Sequence, residues 1–384
     1  MKIPIKTPTI IHGADSIDQI KNFKEKRVLF ITDKFSRSML EERLVELLED
    51  KELAFFDEVE PNPKYDTFTK AGNVAQKFKP DLIIGVGGGS VLDTAKGAYF
   101  LYGQPTLKLS EINYFAEYNL NDKTKLIQIP TTSGTGSESS AGIVYTDPET
   151  GTKKNVISSE LIAGEIIIDP TLPASMPKEL TISSGIDALA QAIESSLSIL
   201  GNDFTLGLDL HSINNIMTYL PQAANEGSGD LDVREKIHYA ASMVGVAMSN
   251  TSLGIGHACG HAVGSIFDIQ HGYAVGVMIP YNILYNQRKG APIYQRILSN
   301  LNIPDAADPA KSLSQVMIDF LKKLDAPCSF KELDIPKKEW DKNLKRLVAT
   351  ALSDPSLMTN PRSANEEKMT KLFEYAYEGY TVDF

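Results

Sequence analysis

Cysteine is scarce in the chain, and long apolar runs and long runs of basic residues are absent from it. The two cysteines, Cys259 and Cys328, are too few for a disulfide framework. No apolar run approaches the roughly 20 residues that a membrane-spanning helix needs, and the N-terminal residues contain no apolar signal core with a cleavage site. The net charge of −11 disfavours nucleic acid and anionic membranes as partners. We therefore expect a cytoplasmic protein that binds neither membranes nor nucleic acid.

The length and the hydrophobic content predict two domains. A chain of 384 residues with 42% hydrophobic composition can bury a large core. The first half alternates strand and helix patterns, which is typical of a mostly parallel sheet covered by helices; strand patterns lie at 27–33, 55–60, 81–86 and 125–130, and helical patterns at 36–50, 67–79 and 91–102. From about Thr181 the strand patterns disappear, and a polar turn at 225–230 separates two helices. We predict an α/β domain over residues 1–180 and an all-helical domain over 181–384.

A glycine turn in the string LIIGVGGGSVLDTAK, residues 82–96, joins a predicted strand to a predicted helix. Successive glycines let the backbone approach a ligand closely, and the start of the helix offers free N–H groups and a positive dipole end. A second loop, IPTTSGTGSE at 129–138, follows another strand, and its hydroxyls include those of Thr131, Thr132, Ser133 and Thr135. Loops at the carboxyl ends of parallel strands meet in one crevice, so the pair predicts a site for pyrophosphate and ribose. A plain tight turn is the alternative for the glycine string.

Asp33 ends the first strand of the alternating region. A carboxylate at this position can accept the ribose hydroxyls of NAD and repel the 2′-phosphate of NADP. Aspartate is also a favoured residue before the first turn of a helix. Position alone favours neither interpretation, and Lys34 and Arg37 nearby weaken any exclusion of NADP.

Three of the six histidines, His257, His261 and His271, lie within 15 residues of one another. Residues 237–287 around them contain one charged side chain, Asp268, so we expect these imidazoles to be buried and to need partners. His257 and His261 are four residues apart and share one helix face. Three core histidines with ordinary hydrogen bonds are one interpretation. A metal ion or a proton relay accounts for all three together.

A second segment with few charges contains the predicted helix 183–198. Asp187, Gln191 and Glu194 fall on one stripe of this helix. The stripe is either the solvent-exposed face of an amphipathic helix or a polar row that faces the protein interior. Residues 179–233 contain no Lys or Arg. Because this is unusual for a solvent-exposed face, it favours a polar row that faces the protein interior. The spacing of Asp187 and Gln191 is that of paired metal ligands.

Seven motifs, taken in order, resemble those of the iron-containing alcohol dehydrogenase family. They are VEPNP at 59–63, GVGGGSVLDTAK at 85–96, IPTTSGTGSE at 129–138, GIDALAQAIES at 185–195, GIGHACGHAVG at 254–264, IQHG at 269–272 and TNPR at 359–362. The resemblance covers nearly the whole chain. It implies a Rossmann-like α/β dinucleotide-binding domain followed by an all-helical metal-binding domain, with the active-site cleft between them, and a homodimer or larger homo-oligomer.

The resemblance also implies roles for particular residues. The metal ligands would be Asp187, Gln191, His257 and His271, and His261 would transfer protons. Most family members have His where this chain has Gln191, whose amide oxygen is a harder and weaker ligand; Fe²⁺ is expected, with Mn²⁺ and Zn²⁺ as alternatives. The position of Asp33 implies a preference for NAD(H). Cofactor contacts would come from Asp33, Asn62, Gly87, Gly88, Gly89, Ser90, Asp93, Thr131, Thr132, Thr135 and Lys153.

The activity that the resemblance implies is hydride transfer between NAD(H) and a small primary alcohol or aldehyde. We expect an aldehyde reductase, and the substrates considered include acid-bearing aldehydes such as succinic semialdehyde and sulfoacetaldehyde. Alternatives with the same fold are a dehydroquinate synthase-like enzyme, a glycerol or glycerol-phosphate dehydrogenase and a metal-free reductase. A non-catalytic nucleotide- or metal-binding protein is the alternative of another class, and His261 argues against it because a binding protein needs no further histidine beside the metal.

Overall fold

Two compact units, Met1–Ser175 and Met176–Phe384, make up the chain in a computed structural model. The structure describes residues 5–113, 116–148, 151, 153–224 and 229–384. Of the polar turn predicted at 225–230, residues 225–228 therefore lie outside the described residues. No helix in the described part of the chain is long and apolar enough to cross a bilayer.

The first unit is built on a parallel sheet of six strands. Its described elements are the strands Thr9–His12 (β1), Arg27–Thr32 (β2), Glu52–Phe56 (β3), Leu82–Gly87 (β4), Lys125–Pro130 (β5), Gly142–Thr146 (β6), Lys153–Ile157 (β7) and Glu165–Ile168 (β8), and the helices Lys34–Leu47 (α1), Tyr65–Phe78 (α2) and Gly89–Gly103 (α3). The strand order is β1-β8-β5-β4-β2-β3, and every neighbouring pair is parallel. β6 and β7 form a separate antiparallel pair. The predicted parallel sheet with helices is confirmed.

Burial accounts for the three central strands that were predicted, whereas β6, β7 and the buried β8 were not predicted. The central strands β2, β4 and β5 are buried nearly throughout, so each is a continuous apolar run. The prediction of a strand at 55–60 was placed too late, because β3 begins at the exposed Glu52 opposite Arg27. The edge strand β1 is mostly exposed and has no apolar run, so it was missed.

The order of the strands sets where the loops of this unit lie. β2 lies between β3 and β4, so the chain turns back across β2 when it passes from β3 to β4. The carboxyl ends of β2 and β4 therefore flank the switch point of the sheet, where open α/β sheets bind ligands. Asp33 directly follows β2, and the glycine turn directly follows β4.

The second unit is all-helical in its described residues, as predicted. Its α-helices are Lys178–Leu197 (α4), Asp203–Ala224 (α5), Leu231–Thr251 (α6), Ile255–Phe267 (α7), His271–Tyr285 (α8), Gln287–Asn300 (α9), Pro309–Lys323 (α10), Lys337–Leu352 (α11) and Glu366–Glu378 (α12). Ile186, Leu189 and Ile193 of α4 are buried in one hydrophobic core with residues of α5 to α12. The polar stripe of α4 is buried as well, since Asp187 and Gln191 are 2% and 3% exposed. The stripe is an inward-facing row, not a wet face.

Candidate metal and nucleotide sites

Three candidate ligands converge from the helices α4, α7 and α8. Asp187 lies on α4, His257 in the first turn of α7, and His271 at the first residue of α8. One ligand atom from each lies within 4.8 Å of the others. Asp187 Oδ1 is 3.4 Å from His257 Nε2 and 3.4 Å from His271 Nε2. A carboxylate and two imidazoles at this spacing are a donor set that divalent transition metals accept.

Buried polar atoms without partners lie in the same cluster. Asp187 Oδ1, Gln191 Oε1 and His257 Nε2 have no hydrogen-bond partner among the described residues. Gln191 donates from Nε2 to Asp187 Oδ2 across 3.0 Å, so the atom of its amide without a hydrogen-bond partner is the oxygen. Buried polar atoms without partners are costly unless a ligand satisfies them. A divalent cation fits this donor set.

Glu194 contacts His257 on the side of the ring that faces away from Asp187. Its carboxylate accepts hydrogen bonds from the backbone N–H groups of Gly256 and His257 at the start of α7, and it also contacts Nδ1 of His257. A Cβ at Gly256 would lie 2.8 Å from Glu194 Oε1, so a side chain there would push the carboxylate away. With Nδ1 engaged, Nε2 is the ring atom that faces Asp187. A carboxylate that orients a ligating histidine in this way is typical of metal sites.

The start of α8 is held close to α4, which places His271. A Cβ at Gly272 would overlap the carbonyl oxygen of Ser183, so only glycine allows this approach. Gln270 donates from Nε2 to Ser183 Oγ across 2.6 Å. The side chain of His271 is 27% exposed and is the most open of the three candidate ligands.

The charges in the cluster support one another. Burial opposes protonation of His257, but Glu194 and Asp187 outweigh it and raise the pKa of His257 to about 10. Burial would raise the pKa of Asp187, but His271 and His257 hold it well below its ordinary value. A metal ion bound here would have to replace the proton on His257, because only the neutral imidazole is a ligand.

His261 is held by a residue that the sequence analysis did not find. Its Nδ1 lies 2.7 Å from Asp354 Oδ2, and its ring stacks on that of His271 with 5.3 Å between ring centroids. Asp354 also accepts from the backbone N–H of Ser356 across 2.8 Å and caps the short 3₁₀ helix Pro355–Thr359. Burial would raise the pKa of Asp354, but His261 and Ser356 hold it well below its ordinary value. Asp354 is 93 residues from His261, so no local spacing could connect them.

The glycine turn of the first unit lies against the hydroxyl-rich loop. Gly87 pairs with Pro130 across β4 and β5, and the backbone N–H of Thr131 donates to the Gly87 carbonyl across 3.0 Å. A Cβ at Gly89 would lie 2.8 Å from the Thr135 side chain. Gly88 precedes α3 without a capping side chain, so the start of this helix stays open to an anion. The structure brings together the Gly87–Ser90 turn, Thr131, Thr132 and Thr135.

Asp33 caps helix α1 in the structure. One carboxylate oxygen accepts from the backbone N–H of Ser36 and the other from its hydroxyl, each across 2.9 Å. Each oxygen keeps a second lone pair, so the cap does not prevent a further hydrogen bond. Arg37 donates to Glu41 and Asp57, which occupy its guanidinium.

Asp93 is engaged within the protein. One carboxylate oxygen accepts from Lys96 Nζ and from Ser137 Oγ, and the other accepts from the backbone N–H of Val144 across 2.8 Å. Lys96 is fully buried and also donates to the hydroxyl of Ser140 across 3.0 Å. Burial lowers the pKa of Lys96, and Asp93 opposes that effect. This network ties α3 to the hydroxyl-rich loop and to β6.

The remaining residues that the resemblance assigns to the cofactor lie near β6 and α3. Asn62 has a φ of 53°, and its carbonyl accepts from Thr146 Oγ1 across 3.1 Å. Lys153 pairs with Thr146 between β6 and β7. Ser90 is the second residue of α3, and its carbonyl accepts from Thr94 Oγ1 across 2.8 Å.

These features define a class of protein. One unit is a parallel α/β sheet with a glycine turn at its switch point and a polar loop beside that turn. The other is a helical unit with a buried cluster of candidate metal ligands. Models of two families match the two parts: iron-containing alcohol dehydrogenase over residues 7–170, and the C-terminal region of the Fe-containing alcohol dehydrogenase family over residues 181–377. The chain belongs to the iron-containing alcohol dehydrogenase family and is an oxidoreductase.

Relatives match over nearly the whole chain. An NADPH-dependent butanol dehydrogenase of Clostridium saccharobutylicum is 32% identical, over 98% of this chain and 98% of its own. A 1-propanol dehydrogenase of Citrobacter freundii is 34% identical, over 94% of this chain and 96% of its own. The solved structure of a 1,3-propanediol oxidoreductase superposes with a TM-score of 0.91 at 26% identity, over 98% of this chain and 100% of its own.

Proposed function

We propose that this protein interconverts small primary alcohols and aldehydes, with NAD(H) and a divalent metal ion as cofactors, and that it acts as an aldehyde reductase. The observation that carries the proposal is the set of buried atoms without partners on Asp187, Gln191 and His257, beside His271. The relatives named for butanol, 1-propanol and 1,3-propanediol support short straight-chain substrates.

Asp187, His257 and His271 would hold the metal, with Gln191 Oε1 as a fourth ligand. Glu194 would keep His257 oriented. A bound divalent cation supplies Lewis acidity toward the substrate oxygen, and NAD(H) supplies or accepts the hydride. Fe²⁺ is the proposed ion, with Mn²⁺ and Zn²⁺ as alternatives.

The first unit would hold the cofactor. The Gly87–Ser90 turn and the start of α3 offer backbone N–H groups to the pyrophosphate, and Thr131, Thr132 and Thr135 offer hydroxyls. In the second unit, His261 would pass the proton that the substrate oxygen gains when an aldehyde is reduced and loses when an alcohol is oxidised.

A preference for NAD(H) over NADP(H) is part of the proposal. The carboxylate of Asp33 lies at the switch point of the sheet and disfavours a 2′-phosphate. Arg37 is already paired with Glu41 and Asp57 and is poorly placed to compensate. The relative from Clostridium saccharobutylicum is named for NADPH, so both cofactors need to be compared directly.

A reductase assay tests the proposal. The purified protein, stripped of metal and then loaded anaerobically with Fe²⁺, Mn²⁺ or Zn²⁺, is incubated with NADH and a panel of aldehydes. The panel contains propanal, butanal, 3-hydroxypropanal, succinic semialdehyde and sulfoacetaldehyde. We expect metal-dependent oxidation of NADH with at least one of them. Tight binding of metal and NADH without turnover of any aldehyde would indicate a binding protein instead.

The assembly is proposed on the resemblance alone, and the location on the scarcity of cysteine in the sequence. We propose a cytoplasmic homodimer or larger homo-oligomer. Light scattering coupled to gel filtration measures the mass in solution, and a mass near the 42.1 kDa of one chain would contradict the proposed assembly.

A further inference from the structure

Asp354 is a largely buried acid. Among the hydrogen bonds of the described residues, His261 is the one titratable side chain that it contacts. Its two carboxylate oxygens have different partners: Oδ1 accepts from the backbone N–H of Ser356, and Oδ2 lies 2.7 Å from His261 Nδ1. The side chains of Asp354 and His261 are 11% and 9% exposed. Water is therefore largely excluded from the contact, and the hydrogen bond is stronger than it would be at the surface.

The contact decides where the neutral imidazole of His261 carries its proton. An ionised carboxylate can only accept hydrogen bonds, so Nδ1 must be the donor and must keep its hydrogen. Nε2 is then the end of the ring that carries the lone pair. The same bond sets the orientation of the ring, which stacks on His271 at an angle of 17° between the ring planes.

We propose that Asp354 is a positioning residue for proton transfer: it holds His261 in the tautomer and orientation in which Nε2 exchanges the proton. The inference rests on the proposed function, in which His261 passes a proton to or from the substrate oxygen. In aldehyde reduction the protonated ring gives the Nε2 proton to the oxygen and stays protonated at Nδ1. In alcohol oxidation the Nε2 lone pair takes the proton from the oxygen.

Asp354→Asn is a sharp test because it changes the tautomer and little else. The amide oxygen can keep the hydrogen bond from Ser356, which places the amide NH₂ toward His261 Nδ1. An NH₂ group there requires Nδ1 to accept, so the neutral ring must carry its proton on Nε2. An equivalent change in the Ser-His-Asp triad of proteases leaves the geometry intact but removes most of the rate.

A double-mutant cycle measures the coupling. Aldehyde reduction is assayed in the metal-loaded wild type, Asp354→Asn, His261→Ala and the double variant, together with metal content and the Kd for NADH. We expect Asp354→Asn to lower kcat by roughly 10²–10⁴-fold, the size of a general acid–base contribution, with metal content, the Kd for NADH and the KM for aldehyde near wild type. The double variant should be no slower than His261→Ala alone, because Asp354 acts through His261.

A matched control separates this role from helix capping. Asp308 caps α10 through the backbone N–H of Lys311 across 3.1 Å, as Asp354 caps its own helix, and none of its described hydrogen bonds involves a histidine. Asp308→Asn should leave kcat unchanged. An unchanged kcat in Asp354→Asn, or an equal loss with and without His261, would overturn the role of Asp354. An unchanged kcat in His261→Ala would overturn the proposed proton transfer and this inference with it.

A measurement on the wild-type protein tests the tautomer independently of the activities of the variants. Histidine labelled with ¹⁵N gives signals for six residues, and the shifts of Nδ1 and Nε2 report which atom carries the proton. We expect the signal assigned to His261, through its loss in His261→Ala, to show a protonated Nδ1. A neutral ring protonated at Nε2 would overturn the inference.

Discussion

Gln191 Nε2 donates to Asp187 Oδ2 across 3.0 Å, and this bond decides which end of the amide is left for a metal ion. Both residues lie on α4, one turn apart, and both are buried. Since a carboxylate cannot donate, the amide must present its NH₂ to Asp187 and leave Oε1 without a partner. The cluster then offers two oxygens and two imidazole nitrogens, which is a harder donor set than three imidazoles and a carboxylate.

Gln191→His should therefore shift the metal preference toward zinc. An imidazole is a softer ligand than an amide oxygen and suits Zn²⁺ well. We expect the ratio of bound zinc to bound iron to rise after equilibrium dialysis against both ions under anaerobic conditions, measured by elemental analysis. Gln191→Leu should bind all the ions more weakly. Unchanged ratios and affinities in both variants would place Gln191 outside the ligand set.

Asp187→Ala and His257→Ala should each lose the metal ion. Each variant removes a buried atom that has no hydrogen-bond partner among the described residues. We expect affinity to fall by more than about 100-fold, which exceeds the usual effect of residues that only support a ligand. His211→Ala, on an exposed site of α5, is the control and should keep full metal content. Full occupancy of Asp187→Ala and His257→Ala would disprove the metal site.

Gly256→Ala should weaken metal binding without touching a ligand. The new Cβ would lie 2.8 Å from Glu194 Oε1, so the carboxylate would have to move away from His257. We expect a loss of roughly 10–100-fold in metal affinity, the range for residues that orient ligands. Gly207→Ala on α5, where a Cβ meets open space, is the matched control. Equal affinities in the two variants would show that Glu194 does not orient His257.

Asp33→Asn should improve the use of NADPH relative to NADH. Asparagine is as good a helix cap as aspartate, so α1 should stay intact while the negative charge is removed. A repulsion between unit charges about 4 Å apart is worth about 1 kcal/mol even in water, which corresponds to at least about a fivefold change in the ratio of kcat/KM values. Kinetics with both cofactors provide the test. A wild type that uses NADPH as well as NADH would show that Asp33 is only a cap.

Asp209→Asn should stabilise the protein at pH 8 more than at pH 5. Asp209 is fully buried on α5, and burial raises the pKa of its carboxyl well above the ordinary value. The fold keeps the proton, whereas the unfolded chain releases it above about pH 4, so stability falls with rising pH by up to about 1.4 kcal/mol per unit until the folded pKa is reached. Asparagine stays neutral and can still accept from Ser195 Oγ, which Asp209 does across 2.8 Å.

Urea unfolding at the two pH values measures the effect. Asp203→Asn, at an exposed site of the same helix, is the control. Its difference from wild type in free energy of unfolding should be the same at pH 5 and pH 8. If Asp209→Asn has the same effect at pH 5 and pH 8, Asp209 is ionised in the folded protein.

Local patterns in the sequence were sufficient for the main elements of the fold. The continuous apolar runs of β2, β4 and β5 arise because both faces of these strands are covered. The edge strand β1 and the start of β3 face water, so their sequences carry no such run and their positions were missed or misplaced.

The roles of Asp33 and Asp93 show where sequence reasoning stops. The position of Asp33 in the sequence is compatible with a helix cap and with a ribose ligand. The structure shows the cap directly, because Asp33 accepts from the backbone N–H of Ser36. The resemblance assigns Asp93 to the cofactor, and the structure shows that its carboxylate accepts from Lys96, Ser137 and Val144. Ser36 and Lys96 lie three residues from their partners, whereas Ser137 and Val144 lie 44 and 51 residues from Asp93 and reach it only through the tertiary structure.

The sequence by itself determined which polar residues share a helix face, because the turn of the α-helix places residues four apart side by side. Asp187 and Gln191, and likewise His257 and His261, were paired on that basis. Only the tertiary structure decided what each pair faces. Glu194 contacts His257 across 63 residues of sequence, and Asp354 contacts His261 across 93. Such contacts depend on how α4, α7 and the segment after α11 pack together, and no local periodicity encodes that packing.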